Sequence, residues 1–150
     1  MENKDSSTPS KGLNFILLSF IFWIIVEYIL VWATRLNEWI SYMPFIFLYY
    51  LGIVLIFWLL FYRIKRDEKQ IFIIMVILMY PIEIILFSNA LLLNPLWFIP
   101  HSIQLISIWG FLTFFPYWLV EKKIKEQNKS KLIFYLLWAP LGFLFAIILG

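Results

Sequence analysis

Five long apolar runs, separated by short polar segments, organise this 150-residue chain. They cover residues 13–33, 42–62, 71–93, 98–120 and 132–149. A helix needs roughly 20 apolar residues to cross a hydrocarbon core about 30 Å thick, and every run is close to that length. The alternating segments of about 10 residues that mark a membrane barrel are missing. Backbone groups in lipid have no water to bond, so runs of this length must satisfy them internally as helices. The pattern predicts an all-α, polytopic membrane helix bundle with about five transmembrane helices.

The third and fourth runs are separated only by Asn94, Pro95, Leu96 and Trp97. Asn-Pro is a turn signal, and the residue before a proline is disfavoured in a helix. A tight helical hairpin is expected there, with Trp97 at the membrane interface. Residues 1–12 are polar and rich in Ser, Thr, Pro and Gly; they read as a disordered cytoplasmic tail. Residues 13–150 then form a single transmembrane helical domain.

Lysine and arginine set the orientation. Their counts before, between and after the five runs are two, one, four, none, five and none, so five crossings place eleven of the twelve on one face. Cytoplasmic loops carry the excess of basic residues. The N-terminus is therefore expected in the cytoplasm, the C-terminus outside, and the protein in the cell membrane as a multi-pass chain.

Composition agrees with the pattern. Hydrophobic residues make up 63% of the chain and charged residues 14%, against about 45–50% and about 25% in soluble domains. The net charge of +3 sits in short interhelical runs, which suits anionic headgroups and leaves no basic face for nucleic acid. The lipid bilayer is the first expected partner; further copies of the chain or a larger membrane complex are the others.

The first and third runs share a string: Val26-Glu27-Tyr28-Ile29-Leu30 and Ile82-Glu83-Ile84-Ile85-Leu86. Pro44 and Pro100 open the following runs at the same offset, and Gly52 and Gly110 lie mid-run in each. Two parallel hairpin repeats would produce these matches. Chance agreement between helices drawn mostly from Ile, Leu and Phe is the competing reading.

Ionisable groups at membrane depth are costly and mark candidate sites. Glu27 and Glu83 are the two acidic groups inside the runs, and at 1.5 Å per residue they stand about 21 Å and about 18 Å along their helices. His101, Gln104 and Ser107 follow at helical spacing, Ser88 and Asn89 sit near the end of the third run, and Ser19, Trp23 and Glu27 share one face of the first. These residues place the polarity in the outer half of the bundle. A carboxylate beside an aromatic face attracts cations, so Glu27, Glu83, Trp23, Asn89, His101 and Gln104 are the candidate ligand-binding residues. Each Glu has a structural alternative, a hydrogen bond that ties helices together. Pro81, two residues before Glu83, is expected to free backbone carbonyls beside it.

One histidine cannot furnish paired haem ligands or an H-E-x-x-H zinc site. The absence of cysteine excludes thiol chemistry, and neither a G-x-S-x-G elbow nor a glycine-rich phosphate loop occurs. No catalytic residue, cofactor or metal is expected. Three functions fit: a small transporter or ligand-binding membrane protein for a small cationic or lipophilic solute, a non-catalytic subunit of a larger membrane complex, and an intramembrane enzyme using both carboxylates on a lipophilic substrate. The first is preferred, and enzyme activity is disfavoured.

Overall fold

The computed structural model describes residues 8–29, 36–124 and 128–137. Regular structure among them is wholly helical. Helix α1 is Thr8–Glu27, and α2 is Leu36–Trp58, prolonged by a π-helical turn at Leu59–Arg63. Helix α3 is Glu68–Ile85, a short 3-10 turn occupies Ala90–Leu93, and α4 is Pro95–Val120. A fifth helix, α5, covers 128–137. Three spans are long and apolar enough to cross a membrane: Ser10–Glu27, Leu36–Arg63 and Pro95–Val120. Helix α3 has 18 residues, about 27 Å of helix, but carries Glu68, Lys69 and Glu83 within that length. Most of the fifth run lies outside the described residues, as do Lys4, Arg35 and Lys125.

Apolar side chains cover the outside of the bundle as well as its core. On α1, Phe15, Ser19 and Trp23 recur every four residues and are buried, whereas Leu13, Leu17, Ile21 and Ile25 on the opposite face are each about half exposed. Buried polar residues on α4 (Ser102, Gln104, Ser107 and Thr113) contrast with exposed Leu96, Phe98 and Ile99. Water would penalise that much exposed apolar area; lipid does not. The core gathers Phe15, Val54, Phe57, Ile71, Met75, Leu112, Phe114 and Trp118. Helix α1 packs against both α2 and α4.

One end of the bundle collects the charges. Lys11 pairs with Glu121 at 3.2 Å, tying the start of α1 to the end of α4. Glu68 pairs with Lys131 at 3.4 Å and accepts from Trp118 Nε1 at 3.2 Å, joining α3, α4 and α5. Lys123 donates to the Tyr117 hydroxyl at 2.9 Å, and that bond raises its pKa above the ordinary lysine value.

Several boundaries differ from the sequence expectation. Residues 8–12 are helical rather than part of a disordered tail; residues 1–7 lie outside the described set. Helix α2 begins six residues before the second run, with Glu38 in its first turn, where a carboxylate favours the positive end of the helix dipole. The third run is not one helix to residue 93. After Ile85 the chain turns: Ser88 adopts a left-handed backbone with φ +50°, and the Asn89 N–H returns to the Glu83 carbonyl at 3.0 Å. A left-handed non-glycine residue costs about 1–2 kcal/mol, which the returning bond offsets. Asn94 caps α4 by accepting from Leu96 N–H at 3.0 Å, so the Asn-Pro turn signal marks the start of α4 three residues earlier than expected.

The two halves do not share their details. Pro44 and Pro100 lie inside α2 and α4 rather than opening them. A methyl group at Gly52 would meet open space, whereas at Gly110 it would lie 2.7 Å from the Tyr135 ring.

Candidate functional site

Four elements converge at the end of the bundle away from the charges. The recurrence of every fourth residue along α1 carries the inward face from Ser19 through Trp23 to Glu27. Tyr50 projects from α2 in the row of buried residues Ile46, Tyr50, Ile53, Val54 and Phe57. Glu83 lies in the last turn of α3, and the left-handed step at Ser88 folds Asn89 back over it. On α4, His101, Gln104, Leu105 and Ile108 share one face at spacings of three and four.

A cavity of about 240 Å³ lies where these elements meet, and Val26, Trp109 and Leu112 supply part of its wall. All six residues singled out from the sequence line it: Trp23, Glu27, Glu83, Asn89, His101 and Gln104. Tyr50 and Trp109 also line it and were not anticipated. Their signal was an aromatic with a polar tip inside an apolar run, because such tips seek partners when buried.

The polar groups form two hydrogen-bonded sets. In one, the Tyr50 hydroxyl donates to Glu27 Oε2 at 2.5 Å, linking α2 to α1. In the other, Asn89 Nδ2 lies 3.4 Å from Glu83 Oε2 and 2.8 Å from His101 Nε2, and His101 Nδ1 lies 3.1 Å from Gln104 Oε1. An amide nitrogen only donates, so His101 Nε2 accepts. Nδ1 then carries the hydrogen and donates to Gln104. Donation therefore starts at Asn89, whose amide serves both the Glu83 carboxyl and the imidazole, and passes through the neutral imidazole to Gln104.

Aromatic surface completes the walls. The Trp23 and Tyr50 rings stack at 4.8 Å and 25°, and Trp109 meets Tyr80 edge-on at 5.5 Å. Trp23 is only 4% exposed, and its indole N–H has no partner among the described residues. Most buried polar groups are paired, so this donor stands free beside the cavity. Ser107 is satisfied differently: its hydroxyl donates to the Ile103 carbonyl at 2.6 Å, within its own helix, and it does not line the cavity.

Among the described residues, neither lysine nor arginine lines the cavity. Among the described residues, no group of three or more His, Cys, Asp or Glu side chains is placed to hold a metal ion. The chemistry on offer is two carboxylates, a neutral imidazole, two amides and aromatic faces, which suits a positively charged or hydrogen-bonding solute. No family model, curated protein or solved structure matches the chain.

Proposed function

We propose that the chain is a multi-pass membrane protein that binds a small cationic solute in the cavity between α1, α2, the end of α3 and α4, and that it serves as a small transporter or ligand-binding protein. The observation that carries this reading is that Glu27 and Glu83, the two acidic side chains expected at membrane depth, line one cavity walled by Trp23 and Tyr50. Carboxylates held against aromatic faces recognise cations, the more so away from bulk water. Drug-sized ligands occupy roughly 300–1,000 Å³, so about 240 Å³ suits a group smaller than those. The positive-inside pattern puts the charged end of the bundle in the cytoplasm and the cavity in the outer half.

The test uses tetramethylammonium as the probe. Glu27→Gln and Glu83→Gln keep the hydrogen-bonding shape and lose the charge, so both variants should fold as the parent while binding the cation at least about tenfold more weakly, about 1.4 kcal/mol. Two folded variants with parental affinity would overturn the reading.

The Tyr50–Glu27 hydrogen bond favours a second reading, in which the carboxylates fasten helices within a non-catalytic membrane subunit. The same variants separate the two, because a purely structural role predicts mild effects on stability and no cation dependence.

A further inference from the structure

The polar cavity does not end at Glu27. Glu27 and Tyr50 also line a second cavity of about 510 Å³, whose other walls include Tyr42, Phe45, Tyr49 and Phe87. Two side chains thus form the partition between a polar chamber and an aromatic one. The aromatic chamber opens sideways from the bundle: Phe45 is 56% exposed and Phe87 43%. Its walls are ordered by ring contacts, with Phe45 and Tyr49 nearly parallel at 8° and 6.2 Å, and Tyr49 and Phe87 edge-on at 5.4 Å.

Such a pair of chambers has an amphipathic complement. Among the described residues the inner one offers carboxylates and neither lysine nor arginine, which disfavours an anionic head. The outer one offers ring faces and edges that an extended hydrocarbon chain can cover. Its exposed walls, Phe45 and Phe87, are apolar side chains suited to the hydrocarbon layer in which such a chain would dissolve. Glu27 and Tyr50 line both chambers, so a ligand that displaces the Tyr50–Glu27 hydrogen bond reaches from one into the other.

We propose that the two cavities form one bipartite site for a single-chain cationic amphiphile, with its head between Glu27 and Glu83 and its tail along Phe45, Tyr49 and Phe87. This rests on the reading of the polar cavity as a cation site, and it specifies the ligand class as an alkylammonium rather than a compact water-soluble cation.

The experiment measures binding of two tritiated probes, tetramethylammonium and decyltrimethylammonium, to the full chain immobilised in maltoside micelles. Comparing variants with the parent in the same micelle cancels the partitioning of the longer probe into detergent. Phe45→Ala should weaken decyltrimethylammonium about tenfold, through lost apolar contact, and leave tetramethylammonium unchanged. Phe87→Ala, at the opposite wall, should do the same. Both side chains are substantially exposed, so neither truncation hollows the core. Glu83→Gln should weaken both probes, and decanoate should not displace decyltrimethylammonium. If both alanine variants bind the long probe as the parent does, or if decanoate competes, the bipartite site is overturned while the cation reading stands. If Glu83→Gln leaves both probes unaffected, the cation reading itself fails and takes the amphiphile with it.

Discussion

Asn89 bridges a carboxylate and an imidazole that belong to different helices: its Nδ2 lies 2.8 Å from His101 Nε2 on α4 and 3.4 Å from Glu83 Oε2 on α3. Because an amide nitrogen has hydrogens and no lone pair to offer, this one contact decides which histidine nitrogen is bare. It also joins α3 and α4 at a point where the break after Ile85 has interrupted the helix.

Nitrogen-15 spectra of the selectively labelled protein should therefore show a single neutral tautomer of His101, with hydrogen on Nδ1 and none on Nε2. Asn89→Leu keeps bulk at the position and removes the donor. In that variant the Gln104 contact at 3.1 Å is the remaining hydrogen bond to the ring, and the spectrum should shift toward a mixture of both tautomers. A parental spectrum in Asn89→Leu would show that the amide does not set the tautomer.

Much of this site was legible in the sequence because membrane depth makes polar residues conspicuous. Glu27, Glu83, His101 and Gln104 stand out in apolar runs, and helical spacing alone aligns Ser19 and Trp23 with Glu27 and His101 with Gln104. What periodicity could not supply was the break at Ser88, since nothing in Ile-Leu-Phe-Ser-Asn signals a left-handed residue; glycine would have. That break brings Asn89 over Glu83. Tyr50 and Trp109 were also hidden, because their rings count as apolar in any hydropathy pattern while their polar tips depend on neighbours from other helices. The apparent repeat shows the converse. Matching strings at Gly52 and Gly110 fall in different surroundings, since packing partners are chosen by tertiary structure.

Those two glycines should respond oppositely to the same substitution. At Gly110 an added methyl group would lie 2.7 Å from Cε1 and Cζ of Tyr135. The ring has little room to retreat, being buried and stacked on Trp118 at 6.4 Å and 13°. Gly110→Ala should cost about 1–3 kcal/mol by overpacking and loosen α5 from α4. At Gly52 nothing lies within 4 Å of the added carbon, so Gly52→Ala should be neutral or stabilise by about 0.5–1 kcal/mol through helix preference. Denaturation in mixed micelles measures both. Equal effects would mean that α5 does not sit against Gly110 as described.

The orientation is open to a direct test because the native chain has no cysteine, so any introduced thiol is the sole target for a label. Lys65 lies in the short connection between the π-helical turn and α3, and Leu96, which is 85% exposed, lies in the first turn of α4. Helices α3 and α4 run in opposite senses if both cross the bilayer, which puts these two residues on opposite sides. The ion pairs Lys11–Glu121 and Glu68–Lys131 place the start of α1, the end of α4 and the start of α3 at the Lys65 end. If basic segments are retained in the cytoplasm, that end is expected to face the interior. In intact cells a membrane-impermeant maleimide should label Leu96→Cys and spare Lys65→Cys until the membrane is permeabilised. Each pair joins an exposed lysine to a less exposed glutamate and is worth at most about 1 kcal/mol, so the labelling pattern should survive Glu121→Gln. Labelling of Lys65→Cys alone in intact cells would invert the bundle and place the Glu27–Glu83 cavity toward the cytoplasm. Equal labelling of both from outside would show that α3 turns back without crossing, leaving α1, α2 and α4 as the crossings among the described residues.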